Sequence, residues 1–314
     1  MKRFNTGKIV NSIFAIIGIA IIVYLAYRLK GYISEVDFNV LRFDYRYLTA
    51  SFLLMPIWFV LRCYIWKYLL ASMGESISLI NSIRLIGLTN FGKYVPGKVW
   101  FTVGRTVLAE RLGIPKKKSF ASIIWDTYFI LFVSTGFLLM LLFRIQIGIK
   151  TFNPLYLLIL LLLVPFAFPA VFKRVMDTII RLLRKKPVEY TVSGKSVIMV
   201  ILGDILMWSM QGLQFMLLVK SFVPAEISDF TLFLTYPSAW AMGFIVLVMP
   251  AGLGIREGLI TYVLLQILPD KLSGMAIMAA LLSRIQFTIG ELSYLVTLIG
   301  SKRLWRLNED KKKS

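Results

Sequence analysis

Six apolar runs, at residues 9–27, 48–70, 120–143, 154–171, 197–219 and 276–299, are each long enough to form a membrane-spanning helix. A helix rises about 1.5 Å per residue, so about 20 residues bridge a hydrocarbon core of about 30 Å. A water-soluble fold has no use for six such runs, because much of their surface would have to face solvent. Composition agrees, since 58% of the 314 residues are hydrophobic, against about 45–50% in soluble domains. Run 9–27 is followed by Arg28, Leu29 and Lys30 rather than by a small-residue cleavage site, so it reads as an uncleaved span. The chain is read as an all-α polytopic membrane protein, one transmembrane domain over residues 1–314.

Charge narrows the partners. Lys and Arg total 36 against 16 Asp and Glu, a formal net charge of +20. The basic residues gather at the ends of apolar runs, which points to the anionic cytoplasmic leaflet and not to nucleic acid. Histidine is absent and Cys63 is the only cysteine. An intrachain disulfide, a Cys-rich metal site and Cys–His chemistry are therefore excluded, and no cofactor is expected. Cys63 reads as a small packing residue beside Arg62, and Arg62 turns its face of run 48–70 toward the bundle.

Two further stretches are apolar but broken. Residues 79–112 contain Pro96, Gly97 and Lys98, and residues 230–268 contain Pro250, Gly252 and Gly254. Proline removes a backbone donor and glycine loosens the helix, so each break frees polar backbone groups. Inside a membrane such groups survive only where protein covers them or water reaches them. Each stretch is therefore read as a re-entrant, broken helical hairpin. The basic segments at the N-terminus, Lys116–Lys118, residues 173–195 and the C-terminal tail then fall on the cytoplasmic side of the cell membrane, with both termini cytoplasmic. Each half, 1–150 and 151–314, reads as span, span, hairpin, span, and Pro96 and Pro250 lie 154 positions apart. Three crossings per half make the second half inverted, a pattern of secondary transporters.

Ionisable residues inside these segments are the candidate site. Lys98 and Arg105 follow the first break, Arg256 and Glu257 follow the second, and Arg284 and Glu291 share the last span. Asp126 and Asp204 lie well inside their spans. One reading makes an anion site: arginine grips a phosphate through two parallel hydrogen bonds, and a helix starting after a break offers free N–H groups. The other pairs the charges internally, Arg284 with Glu257 or Glu291, as structural glue.

The residues at the two breaks also carry a resemblance. Asn90-Phe-Gly-Lys-Tyr-Val-Pro-Gly-Lys-Val-Trp100, with Gly104-Arg105 and Gly113-Ile-Pro, forms a first signature. Met249-Pro-Ala-Gly-Leu-Gly-Ile-Arg-Glu-Gly258, with Leu282-Ser-Arg284 downstream, forms a second. In both the chain resembles the lysylphosphatidylglycerol synthase transmembrane-region family, also called flippase-like. The resemblance matches Pro96, Gly97, Arg105, Pro250, Gly252, Gly254, Glu257 and Arg284 to the family pattern. It implies a bundle with re-entrant elements that moves a lipid or lipid-linked headgroup between leaflets. The chain departs from the pattern at Gly97-Lys98, where many members carry Gly-Glu, and at Trp125-Asp126, where many carry Glu-Arg. No segment resembles the soluble aminoacyl-transferase domain of bifunctional members, so synthesis of lysyl-phosphatidylglycerol is not expected.

The expected function is a flippase for an anionic phospholipid or a polyprenyl-phosphate-linked lipid, and not an enzyme. Its substrate-binding residues are Arg105, Lys98, Arg256, Glu257 and Arg284. Pro96, Gly97, Pro250, Gly252 and Gly254 serve as hinges, with Asp126 and Glu291 as charge partners. A membrane-embedded transferase acting on a polyprenyl phosphate and a scaffold for a glycan-assembly complex stand as alternatives, as do an oligomer and a glycosyltransferase partner.

Overall fold

The computed structural model describes residues 42–90, 92, 100–145, 192–245, 252 and 254–299, with isolated positions between 171 and 181. The expected spans at 9–27 and 154–171 lie outside the described residues, but for Val171, as do Pro96, Gly97, Lys98 and Pro250. Among the described residues the chain forms eight α-helices and no strand: α1 (Tyr45–Ser72), α2 (Leu79–Asn90), α3 (Trp100–Arg111), α4 (Lys116–Arg144), α5 (Gly194–Lys220), α6 (Asp229–Ile245), α7 (Ile255–Ile267) and α8 (Ser273–Ile299). A single 3₁₀ turn, Asp270–Leu272, leads into α8.

Four segments are long and apolar enough to cross a membrane: α1, α4, α5 and the run Asp270–Leu292. Each carries exposed apolar residues on its outer face. On α5, Ile198, Leu202, Leu206 and Leu213 are exposed, while Asp204, Trp208, Gln211 and Phe215 are buried. This is a water-soluble helix turned inside out, and it is stable only where the surrounding solvent is lipid. The protein is a multi-pass membrane protein.

Local chemistry fixes the helix ends. The Asp44 carboxylate accepts from the Arg46 N–H at 2.9 Å and caps α1. Hydrogen bonding from Arg46, side chain first, holds this exposed carboxyl below its ordinary range. Ser193 caps α5 by accepting from the Ser196 N–H at 3.1 Å. Gly113, at φ 87°, ends α3 in a left-handed turn closed by Ile114 N–H to the Ala109 carbonyl at 3.2 Å, and Pro115 then starts α4.

The helices α2 and α3, of 12 residues each, flank the first break. At about 18 Å each is too short to cross alone. The helices α6 (17 residues) and α7 (13 residues) flank the second. Within each pair the two arms pack on one another, and α8 joins the pairs by touching both α2 and α7. The helix α5 lies along α1, α4 and α6.

Close approach depends on small residues, as expected where lipid offers no hydrophobic drive between helices. At the α5–α6 crossing a Cβ on Gly212 would strike the Phe233 carbonyl. Gly212→Ala is expected to destabilise the bundle by about 1–3 kcal/mol, measured by thermal unfolding in detergent. A buried polar link ties α1, α5 and α8: Gln286 Nε2 donates to Ser51 Oγ at 2.7 Å, and Ser51 donates to the Gln214 carbonyl at 2.8 Å.

Candidate functional site

Arg62 on α1, Asp126 on α4 and Asp204 on α5 each lie ten residues from a helix end, at Ser72, Lys116 and Gly194 respectively. Ten residues are about 15 Å of helix, so packing α1 against α4 and α5 sets the three side chains in one polar layer. Arg62 Nη1 and Nη2 donate to the two Asp126 carboxylate oxygens at 2.7 and 2.5 Å. Arg105, from α3, approaches the same carboxylate with Nη1 at 3.5 Å, and its Nε donates to Thr89 Oγ1 at 3.4 Å. Its guanidinium lies 5.1 Å from the centre of the Trp66 ring. Arg105 is 4% exposed and Asp126 1%. Burial of this kind depends on ion pairing and hydrogen bonds in place of water.

Beside this layer is a cavity of about 130 Å³, lined by Arg62, Arg105 and Arg256 with Asn90, Trp58, Trp208 and Trp240. It is aromatic-walled and cationic. Arg256, in the first turn of α7, crosses Gly243 of α6 and reaches a point 5.6 Å from the Trp240 ring centre. A Cβ on Gly243 would sit 2.7 Å from the Arg256 Cγ, and one on Gly252 (φ 69°) would sit 2.8 Å from the Gly243 Cα. Both positions therefore require glycine, and together they let the second break fold Arg256 back against α6.

A second ionic group lies outside the cavity lining. Glu257 Oε2 accepts from the Gly254 N–H at 2.7 Å, closing the first turn of α7, where Gly254 has φ 83°. Glu257 Oε1 meets Arg284 Nη1 of α8 at 3.6 Å. Glu291 accepts from Asn90 Nδ2 at 2.9 Å, which bonds α8 to the end of α2.

The residues singled out by sequence therefore separate into two places. Arg105 and Arg256, from opposite halves of the chain, line one cavity, with Asp126 directly behind it. Arg284 and Glu257 form a neighbouring ion pair, the pairing that the internal reading of these charges anticipates. Sequence reasoning turned Arg62 toward the bundle but left it out of the site. The signal was its depth, equal to that of Asp126 and Asp204 from their helix ends.

The model of the lysylphosphatidylglycerol synthase TM region matches residues 14–293, which takes in both breaks and every cavity residue named above. The chain belongs to the lysylphosphatidylglycerol synthase TM-region family. A search of curated proteins returned no match. Membership of the lysylphosphatidylglycerol synthase TM-region family, with the apolar outer faces of the helices, makes this a membrane protein of lipid-related function. Among the described residues, Arg62, Arg105 and Arg256 come together at this cavity.

Proposed function

We propose that the protein is a flippase, moving an anionic phospholipid or a polyprenyl-phosphate-linked lipid between the leaflets of the cell membrane. The observation that carries this reading is the convergence of Arg62, Arg105 and Arg256, from α1, α3 and α7, on one aromatic-walled cavity. At about 130 Å³ it suits a phosphate headgroup and not an acyl tail, since pockets that enclose whole drug-sized molecules run to about 300–1,000 Å³. The tails stay in lipid.

The Arg62–Asp126 pair suggests how the empty site is kept. Asp126 fills the Arg62 fork with the same two parallel hydrogen bonds that a phosphate makes. An entering headgroup replaces Asp126 on the arginines, so no cation is left bare in a low-dielectric interior. The two broken pairs, α2/α3 and α6/α7, enter from opposite faces in this reading and re-form their breaks as the site changes the side it opens to. The halves 1–150 and 151–314 are inverted copies, with both termini cytoplasmic by the distribution of Lys and Arg. No bond is made or broken in the cycle.

Purified protein in sealed liposomes containing fluorescently labelled phosphatidylglycerol, or a labelled polyprenyl phosphate, is expected to equilibrate one of these lipids across the bilayer faster than protein-free liposomes do. Loss of outer-leaflet protection against a membrane-impermeant quencher reads this directly. In detergent, where no leaflets exist, the labelled lipid stays chemically unchanged. Unaltered sidedness for both lipids overturns the reading, and a new lipid product in detergent replaces it with a transferase.

A further inference from the structure

Asp204 is the charged-type residue that the site as described leaves without a task. It is fully buried, and neither carboxylate oxygen has a hydrogen-bond partner among the described residues. An ionised carboxylate removed from water with no hydrogen bond is among the costliest arrangements a protein can hold. The charged groups that act on it are Asp126 from α4 and Arg62 from α1. Asp126 repels a second negative charge, and Arg62 already spends both outer nitrogens on Asp126. The other helices against α5 supply nothing. Among its described residues α6 has charge only at Asp229, which pairs with Lys220 at the far end of α5 at 2.6 Å. The ionisable residues of α8, Arg284 and Glu291, belong with Glu257 and Tyr236 in the other group.

We propose that Asp204 holds a proton in this conformation and that this proton sets how strongly the arginine cavity binds a phosphate headgroup. The inference rests on the lipid-phosphate reading of the cavity. With Asp204 protonated, Arg62, Arg105, Arg256, Asp126 and Asp204 sum to two positive charges, and with Asp204 ionised they sum to one, so ionisation of Asp204 weakens the attraction that draws a phosphodiester into the cavity. Headgroup and proton therefore bind together, each raising the affinity for the other by the same factor. The step is a simple protonation: the Asp204 carboxylate takes H⁺ from hydronium and leaves water. Its route is short, because Met207 and Trp208, one turn further along α5, line the cavity. The proton is then the coupling ion of the transport cycle.

The test uses the full chain in a maltoside detergent with dihexanoyl phosphatidylglycerol, whose phosphodiester keeps one negative charge across the neutral and alkaline range. Wild-type affinity is expected to weaken about tenfold as pH rises and Asp204 loses its proton, a coupling of ordinary allosteric size. Asp204→Asn, which fixes the neutral form in the same shape, is expected to bind at all pH values as tightly as the wild type does in acid. Calorimetry of the wild type in buffers of different ionisation enthalpy adds a readout that needs no variant, and where Asp204 titrates about half a proton is taken up per lipid bound, the most that a tenfold coupling allows. A flat wild-type profile without proton uptake, or an unchanged pH slope in Asp204→Asn, overturns the proton role and leaves the phosphate site standing. No binding of this probe at any pH removes the phosphatidylglycerol site and the proton role with it.

Discussion

Replacing Asp126 with alanine is expected to destabilise the protein by about 3–5 kcal/mol. Asp126 holds Arg62 through two hydrogen bonds and stands 3.5 Å from Arg105. Its removal leaves two guanidinium groups in a dry layer, Arg105 at 4% exposure, with Asp204 too poorly placed to accept from either. The cost arises from the stranded cations and not from the value of the pair itself. A buried ion pair exchanged whole for apolar groups of similar volume is often neutral or stabilising. The double variant Arg62→Met, Asp126→Leu is therefore expected to recover the share of the loss that belongs to Arg62, while Arg105 keeps Thr89 and Trp66 but not its counter-charge. Denaturant titration of both variants in detergent measures the difference. A loss under about 1 kcal/mol for Asp126→Ala places the pair among the weakly contributing surface kind and removes it as the anchor of the polar layer.

How much of this was legible in the sequence follows from what hydropathy measures. Runs 48–70, 120–143, 197–219 and 276–299 mark the lipid-covered part of α1, α4, α5 and α8, and each helix begins about one turn earlier. The extra turn is polar or capped, at Asp44 and Ser193 for example, so an apolar run cannot report it. Proline and glycine act on the backbone locally, and around the two expected breaks the described helices run to Asn90 and from Trp100, and to Ile245 and from Ile255. Side-chain partnership was not legible. Residue spacing says that Arg62 turns away from lipid, but not that α4 brings Asp126 to it across 64 positions of sequence. The same limit applies to Glu291, whose partner Asn90 comes from the other half of the chain. Gly243 shows a further blind spot. It lies in a run of apolar residues with no turn signal, and its reason for being glycine is the arginine that a later segment lays across it.

These two kinds of information divide the cavity's parts by role. Arg105 and Arg256 each follow a break, so the backbone irregularity that sequence reveals is also what brings a cation to the cavity. Arg62 and Asp126 lie in uninterrupted helices and owe their meeting to packing alone. The former pair comes from the elements that move in the proposed cycle, and the latter from the scaffold they move against. That division gives the scaffold a resident carboxylate to neutralise whichever arginine is not engaged with lipid.

Arg105→Ala is accordingly expected to slow phosphatidylglycerol equilibration in sealed liposomes by about 10- to 100-fold, the size of one lost hydrogen bond to a charged group. The fold is expected to survive, because Arg62 keeps Asp126 neutralised through both of its hydrogen bonds. Arg105→Lys retains the charge but not the planar fork, nor the stacking on Trp66, so an intermediate rate is expected. Glu257→Gln is the contrasting change. Glu257 does not line the cavity, its glutamine replacement can still accept from the Gly254 N–H, and only the 3.6 Å contact with Arg284 loses its charge. Its transport rate is expected to stay within about twofold of wild type, with a stability loss of about 1–3 kcal/mol because the buried Arg284 loses a charged partner. Initial rates and unfolding midpoints measured on the same preparations separate the two effects. A Glu257→Gln protein that folds but transports as poorly as Arg105→Ala would move the headgroup site from the arginine cavity to the α7–α8 ion pair.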